Sequence, residues 1–251
     1  AGEIAAPSAA DAGGDGEYVA VQSEEALSAW IAAAEAAGTV TVDTETTSLD
    51  VMQAALVGVS LSVEPGKACY VPLGHGGTSG QGDLGLGDEL AAAEAPTQIP
   101  FDRAIALLKP LLENPGVLKI GQNIKYDMAV LAKYGIELGP LDDTMLLSFV
   151  LEGGLHGHGM DELSELHLGI KPISYKEVAG TGKSQVTFDK VPLDKAVDYA
   201  AEDADVTARL HRILKPRLVG EHLVGVYETI ERPLVPVLAA MERNGIRVDP
   251  K

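Results

Sequence analysis

Thr39-Val40-Thr41-Val42-Asp43-Thr44-Glu45-Thr46 is the stretch on which the reading of this chain turns. Thr39 to Asp43 is β-branched and apolar until its last residue, the pattern of a buried strand. Extended backbone alternates its faces, so Asp43 and Glu45 share one face and Thr44 takes the other. Two carboxylates at the end of a buried strand repel each other and call for a cation. Two later signals carry partners for them. Asp127 ends Gly121-Gln122-Asn123-Ile124-Lys125-Tyr126-Asp127. Tyr199 and Asp203 lie four apart in Tyr199-Ala200-Ala201-Glu202-Asp203, hence one turn apart on one helix face. Taken singly, each signal has a plain reading: a chance Asp-X-Glu, a solvated helix acid, a half-buried packing tyrosine. Together and in this order they read as one site. Hard oxygen ligands suit Mg²⁺ or Mn²⁺, and a pair of such ions is suited to breaking a phosphodiester. Tyr199 beside a carboxylate can orient the attacking water. Gln122 and Asn123, at a helix start, can hold a phosphate or sugar.

Working outward, Tyr18 to Gln22 reads as a short strand. Ser23 caps a helix that runs to Ala37, with Glu24 and Glu25 in its first turn and Gly38 ending it. Ala55 to Val63 and Lys67 to Pro72 read as strands joined at Glu64-Pro65-Gly66, completing an antiparallel meander. Gly74 to Pro100 is Gly-rich, a surface excursion with one short helix at Asp88 to Ala95. A helix at Phe101 to Leu112, a strand at Val117 to Gly121 and a helix at Ile124 to Tyr134 follow. Asp142 or Asp143 opens a helix to about Leu151. Gly153 to Gly159 is a loop bearing histidines, and Met160 to Leu168 is helical. Lys171 to Lys190 reads as mixed and mobile. Pro192 to Leu218 is a long helix with its proline where one is tolerated. His222 to Asn244 is another, with Pro233 and Pro236 bending it or marking its start. The predicted fold is α/β, a mixed sheet with helices on both sides.

Nineteen Lys and Arg against 37 Asp and Glu give a formal charge of -18, which excludes a broad electropositive surface for nucleic acid. Any such contact must be local and helped by metal ions. The single cysteine, Cys69, excludes an intrachain disulfide and fits a reducing compartment. No signal peptide is read in Ala1 to Glu17, and no stretch has the ~20 apolar residues of a membrane helix. A cytoplasmic monomer is the expectation.

The motifs resemble the 3′–5′ exonuclease domains of bacterial family A DNA polymerases, the DEDD type with a tyrosine in its third motif. The resemblance rests on Asp43-Thr44-Glu45-Thr46, Lys119 to Asp127, Asp143-Thr144-Met145 and Tyr199 to Asp205. It implies a ribonuclease-H-like fold and two divalent ions, Mg²⁺ with Mn²⁺ as a substitute. Asp43, Glu45 and Asp203 would hold the first ion. Asp43 would bridge to the second, and Asp127 would reach that ion through water. Tyr199 and Glu45 would position the attacking water, and the product would be a nucleoside 5′-monophosphate. The substrate implied is a single-stranded or frayed 3′ end of DNA, contacted by Thr44, Leu49, Gln122, Asn123, Tyr126, His158 and Tyr175. Leu49 would wedge between terminal bases, against a plain reading as a buried turn residue. Tyr175 stands where a phenylalanine is common and can still stack on a base; its plain reading is a surface aromatic.

Gly157 stands where that family often has an arginine, so one phosphate contact is absent. His156, His158 and His167 are not expected to bind zinc, because no cysteine cluster accompanies them. Five lysines, Lys171, Lys176, Lys183, Lys190 and Lys195, make a candidate phosphate-facing strip. Residues 1–17 read as a disordered linker or tail, 18–218 as the exonuclease domain, and 219–251 as the helical start of a truncated polymerase domain, the partner implied by the resemblance. The alternatives are a silent structural module and an RNA-trimming exonuclease of the same fold.

Overall fold

The computed structural model describes residues 16–76 and 96–248. Most of the proposed linker and the expected Asp88–Ala95 helix lie outside the described residues. Six strands form one mixed sheet in the order β1-β4-β3-β2-β5-β6. They are β1 (Glu17–Ala20), β2 (Thr39–Thr46), β3 (Leu56–Glu64), β4 (Lys67–Pro72), β5 (Leu118–Gly121) and β6 (Leu141–Asp143). The meander is as expected: β2 pairs antiparallel with β3, and β3 with β4. β5 then adds parallel to β2, β6 parallel to β5, and β1 parallel to β4.

The first helix, α1 (Glu24–Ala37), begins and ends at the residues its chemistry names. Ser23 Oγ accepts from the Ala26 amide at 3.2 Å, and Gly38 takes the left-handed conformation at φ 70°. α2 (Phe101–Leu112) packs beside α1 on one face of the sheet. α3 is Ile124–Ala132, α4 Thr144–Glu152, α5 Met160–Leu168 and α6 Tyr175–Ala179. The long α7 (Leu193–Gly220) crosses the opposite face, against β1 to β5. Strand β4 shows why both faces are covered. Cys69 and Val71 join the cluster with Leu27, Leu108 and Leu111, while Tyr70 joins Phe188, Ala196 and Ala200 under α7. A strand apolar on both faces, as β4 is from Ala68 onward, needs a helical layer on each side.

One expectation is corrected and two are refined. Asp143 opens a helix as expected, capping α4 by accepting from the Met145 and Leu146 amides, and with Asp142 it also belongs to strand β6. Residues 171–190 are ordered into α6 and two 3₁₀ turns, Gly182–Ser184 and Phe188–Lys190. The helix expected over His222–Asn244 runs without a gap from Val224 to Asn244, as α8 (Val224–Val226), a π turn at Tyr227–Glu231, and α9 (Arg232–Asn244). Pro233 has no N–H to return to the carbonyl four residues back, so the ladder widens just before it.

Candidate active site

Asp43 and Glu45 lie on β2, opposite Ser60 and Gly58 of β3, and a register irregularity follows at Glu45/Thr46. Asp203 comes from the middle of α7, where that helix crosses the sheet. One carboxylate oxygen from each of the three lies within 4.8 Å of the others. Asp127, in the first turn of α3, stands just outside that group. Its Oδ1 accepts from the Thr44 amide at 2.9 Å and from Thr44 Oγ1 at 2.6 Å. Thr44 therefore joins the two motifs: its neighbours on β2 carry the acids, and Thr44 itself fixes the fourth carboxylate.

The electrostatics are those of crowded acids in a poorly hydrated place. Burial, opposed only by the Thr44 amide, pushes the Asp43 carboxyl up to about 6. Glu45 is pushed well above the carboxylate range, first by burial and then by the charges of Asp43, Asp203 and Asp127. Asp127 and Asp203 are raised in the same way, by burial and then by Asp43. Asp203 Oδ1 is buried with no hydrogen-bond partner among the described residues. An acceptor-only oxygen left bare among like charges fits a hard cation, so this donor set suits Mg²⁺ or Mn²⁺. The Tyr199 hydroxyl is raised by burial and then by Asp203, Glu45 and Asp43, so it stays protonated and can donate.

The cluster opens into a cleft of about 650 Å³, whose lining includes Glu45, Leu49, Tyr126, Tyr175, Val186 and Tyr199. Leu49 is 94% exposed, which removes the buried-turn reading. Tyr175 is not a free surface aromatic: its ring stacks on Phe188 at 6.3 Å and meets Tyr199 edge-on at 6.1 Å. The Tyr126 hydroxyl bonds Thr46 Oγ1 at 2.5 Å and the Ser48 carbonyl at 2.6 Å, holding the turn that presents Leu49.

Gln122 and Asn123 sit at the entry to α3. Asn123 is exposed and left-handed at φ 58°, and Gln122 Nε2 donates to the His158 carbonyl at 2.8 Å. His158 pairs its Nδ1 with Ser148 Oγ at 2.8 Å, a supporting place in its loop. A Cβ at Gly157 would come 2.3 Å from Glu162 Oε2, so an arginine there would meet a carboxylate before any phosphate. All five lysines of the strip are exposed.

Sequence reasoning missed Tyr70, which lies fully buried beneath the acids, its hydroxyl 2.9 Å from His75 Nε2. Its hydroxyl is raised by burial and then by Glu45 and Asp43. It missed the cleft wall at Gln185, Val186 and Thr187 as well. No local signal marks either; both reach the site by long-range packing.

The chain is similar to known proteins over most of its length. A family model described as 3′–5′ exonuclease matches residues 18–219. DNA polymerase I of Rhizobium leguminosarum is 53% identical over 241 residues, covering 92% of this chain and 23% of that protein. DNA polymerase I of Pseudomonas aeruginosa is 43% identical over 237 residues, covering 93% and 24%. The chain thus spans about a quarter of the length of the curated relatives it matches. Among solved structures, the POL domain of Pol1 from M. smegmatis, in complex with DNA primer-template and dNTP, superposes with a TM-score of 0.68. At 21% identity, over 92% of this chain and 33% of that one, the likeness shows the fold, which is α/β and ribonuclease-H-like. The family model takes in every element from β1 almost to the end of α7, and two relatives exceed 40% identity across the same span. On those grounds this chain belongs to the 3′–5′ exonuclease domain family of bacterial DNA polymerase I.

Proposed function

We propose that the chain is the proofreading part of a DNA polymerase I. It would remove nucleoside 5′-monophosphates from single-stranded or frayed 3′ ends of DNA. The observation that carries this is the meeting of Asp43, Glu45 and Asp203 within 4.8 Å at the end of an open, aromatic-walled cleft. Those three would hold one divalent ion, with Asp43 shared by a second. Asp127, already committed through Oδ1 to Thr44, would act through water. Two such ions, Mg²⁺ by preference and Mn²⁺ as a substitute, supply Lewis-acid stabilisation of the attacking and leaving oxygens.

The protein's own part is placement. Tyr199 keeps its proton and points the attacking water toward the phosphorus, and Glu45 accepts from that water. Leu49 enters between the last bases, and Tyr175 offers a ring for stacking, an interaction of about 1–3 kcal/mol per base. Gln122, Asn123, Tyr126 and His158 frame the terminal nucleotides. Residues 18–218 would be the catalytic unit and 219–251 the approach to a polymerase domain, the natural partner, with 1–17 as linker. The exposed apolar residues of α9, Leu234, Val237, Leu238 and Met241, suit that role. No helix among the described residues is long and apolar enough to cross a membrane; a monomer in the cytoplasm is our reading.

The test is a 5′-labelled single-stranded DNA incubated with Mg²⁺, with EDTA, and with the Asp203→Ala variant, beside the matching RNA. Shortening from the 3′ end that vanishes in both controls and is faster on DNA supports the proposal. An intact strand in Mg²⁺ and Mn²⁺ alike sinks it in favour of a silent module. Faster cleavage of RNA points to an RNA-trimming enzyme.

A further inference from the structure

Away from the carboxylate cluster, three more metal-ligating side chains converge where α4, the loop after it and α5 meet. They are Glu152, His156 and His167, with one ligand atom from each within 4.8 Å of the others. Both histidines aim Nε2 at the same oxygen, Glu152 Oε2, at 2.9 Å from His156 and 3.0 Å from His167. The other oxygen of Glu152 accepts from Arg217 Nη1 at 2.6 Å. The three side chains are 12–16% exposed, so the group is sheltered yet reachable.

The telling contact is on the far side of His156. Its Nδ1 lies 2.6 Å from the Gly157 carbonyl oxygen, which can only accept, so Nδ1 carries the hydrogen. In the neutral ring Nε2 is then a bare lone pair facing a carboxylate oxygen. Two acceptors at 2.9 Å repel unless a cation lies between them. A proton on Nε2 is one such cation; a metal ion is the other. A ring oriented by Nδ1–H on a backbone carbonyl, with Nε2 turned to the ligand cluster, is how proteins prepare a metal-binding histidine. The Arg217 contact on Glu152 fixes the carboxylate in the same outer-shell manner. Two imidazoles and one carboxylate suit Zn²⁺, and tetrahedral bonds of about 2.0–2.2 Å set neighbouring ligand atoms about 3.3–3.6 Å apart. The nitrogen–oxygen distances of 2.9 and 3.0 Å would open by roughly 0.3–0.7 Å to reach that.

We propose that Glu152, His156 and His167 form a second metal site, for Zn²⁺ or a similar borderline ion rather than Mg²⁺, that fastens the 153–159 loop between α4 and α5. The lack of a cysteine in this group does not exclude it, because Glu152 supplies the anionic ligand. The site is chemically distinct from the all-carboxylate cluster. Its effect reaches that cluster's surroundings through the loop, since Gln122 Nε2 hangs from the His158 carbonyl at 2.8 Å.

The experiment uses the chain carrying Asp43→Asn and Asp203→Asn, which silences the carboxylate cluster, in excess Mg²⁺. Zn²⁺ is titrated against a chromophoric chelator, and the zinc-loaded protein is read by X-ray absorption. The expected result is one Zn²⁺ per chain with imidazole scattering, and affinity lower in His156→Gln and in His167→Gln by no less than the about 10–100-fold that losing an outer-shell partner costs. Circular dichroism confirms that each variant is folded. Should the Asn background not fold, loss of one Zn²⁺ equivalent from the otherwise unmutated chain on His167→Gln gives the same answer. Zinc binding no tighter than in His156→Gln and His167→Gln, or a shell of oxygen alone, overturns the proposal and leaves an imidazolium ion pair.

Discussion

At the scale of single residues, the site rests on a glycine that no motif marks. A Cβ at Gly58 would lie 2.2 Å from the Tyr70 hydroxyl oxygen and 2.3–2.4 Å from its ring carbons. Tyr70 thus lies flat across the β3 backbone, directly beside the strand position opposite Glu45. Gly58→Ala must displace that fully buried ring, whose hydroxyl feels Glu45 and Asp43. We expect a loss of about 1–3 kcal/mol, the usual cost of overpacking, and a fall in exonuclease rate larger than for Tyr70→Phe. Urea midpoints at constant slope, with the 3′-shortening rate beside them, check this; an unchanged midpoint refutes the packing argument.

The raised carboxyls give a second expectation at this scale. Asp43, Glu45, Asp127 and Asp203 hold protons more tightly folded than unfolded. The metal-free protein therefore loses stability as pH rises from about 4 through the folded value of Asp43, about 6, and beyond. Divalent ions offset the buried negative charge. The rise in Tm with Mg²⁺ or Mn²⁺ should be larger at about pH 8 than at about pH 5, and the difference should shrink in Asp203→Asn. An equal rise at both pH values counts against the cluster as the binding place. The acids were legible in the sequence because alternation on β2 and the four-residue spacing on α7 are local rules. Tyr70 and Gly58 were not, because their closeness to Glu45 is a matter of strand register. Glu152 escaped notice for another reason: the histidines were judged by the cysteines they lack rather than by the acid one turn away.

At the scale of elements, Asp142 ties the last third of the chain to the sheet. It ends fully buried on β6, accepting from His211 Nε2 at 2.9 Å, Lys215 Nζ at 3.1 Å, the Tyr227 hydroxyl at 3.1 Å and Arg232 Nη1 at 3.3 Å. Burial alone would raise it, but the hydrogen bonds from His211 and Lys215 and their charges hold it down to about 2. Its folded value lies below the unfolded one, so its contribution is complete above about pH 4 and is lost as pH falls toward 2. Asp142→Asn should cost about 2–3 kcal/mol at neutral pH, less than the ~3–5 of a fully buried pair because Lys215 and Arg232 keep some water. The cost should vanish near the acid limit, and thermal unfolding across pH measures it. A pH-independent loss would mean that packing, not charge, is what Asp142 supplies.

Element boundaries show where local reading works. β4, α2 and α5 fall at the boundaries read from their sequence. β6 was hidden because three residues are too few to show alternation, and the last of them doubles as a helix cap. The π turn was hidden because its reason is tertiary as well as local: it turns Tyr227 inward, where the hydroxyl meets Asp142 and the Asp143 amide.

At the scale of the whole molecule, the proposed reaction asks a chain of charge -18 to grip a polyanion. Its general field opposes approach, so binding depends on the divalent ions, on stacking in the cleft, and on whatever positive charge is concentrated nearby. Lys171, Lys176, Lys183, Lys190 and Lys195 are all exposed. Two of them, Lys183 and Lys190, lie within or end the 3₁₀ turns flanking Gln185, Val186 and Thr187 of the cleft wall. Each phosphate neutralised on a single strand contributes about 0.7 to the slope of log affinity against log salt. If the strip faces phosphate, Lys183→Gln with Lys190→Gln should flatten that slope by about 1.4 and weaken binding at low salt. The 3′-end chemistry on saturating DNA should be unchanged, because neither lysine touches the acids. Fluorescence anisotropy in Ca²⁺, which allows binding without turnover, provides the titration. A slope unchanged by both substitutions would return the strip to an ordinary solvated face. Gly157→Arg is the complementary probe. Its guanidinium would meet Glu162 first, so this position should add less to the slope than one free cation, and a full 0.7 would show that Glu162 gives way.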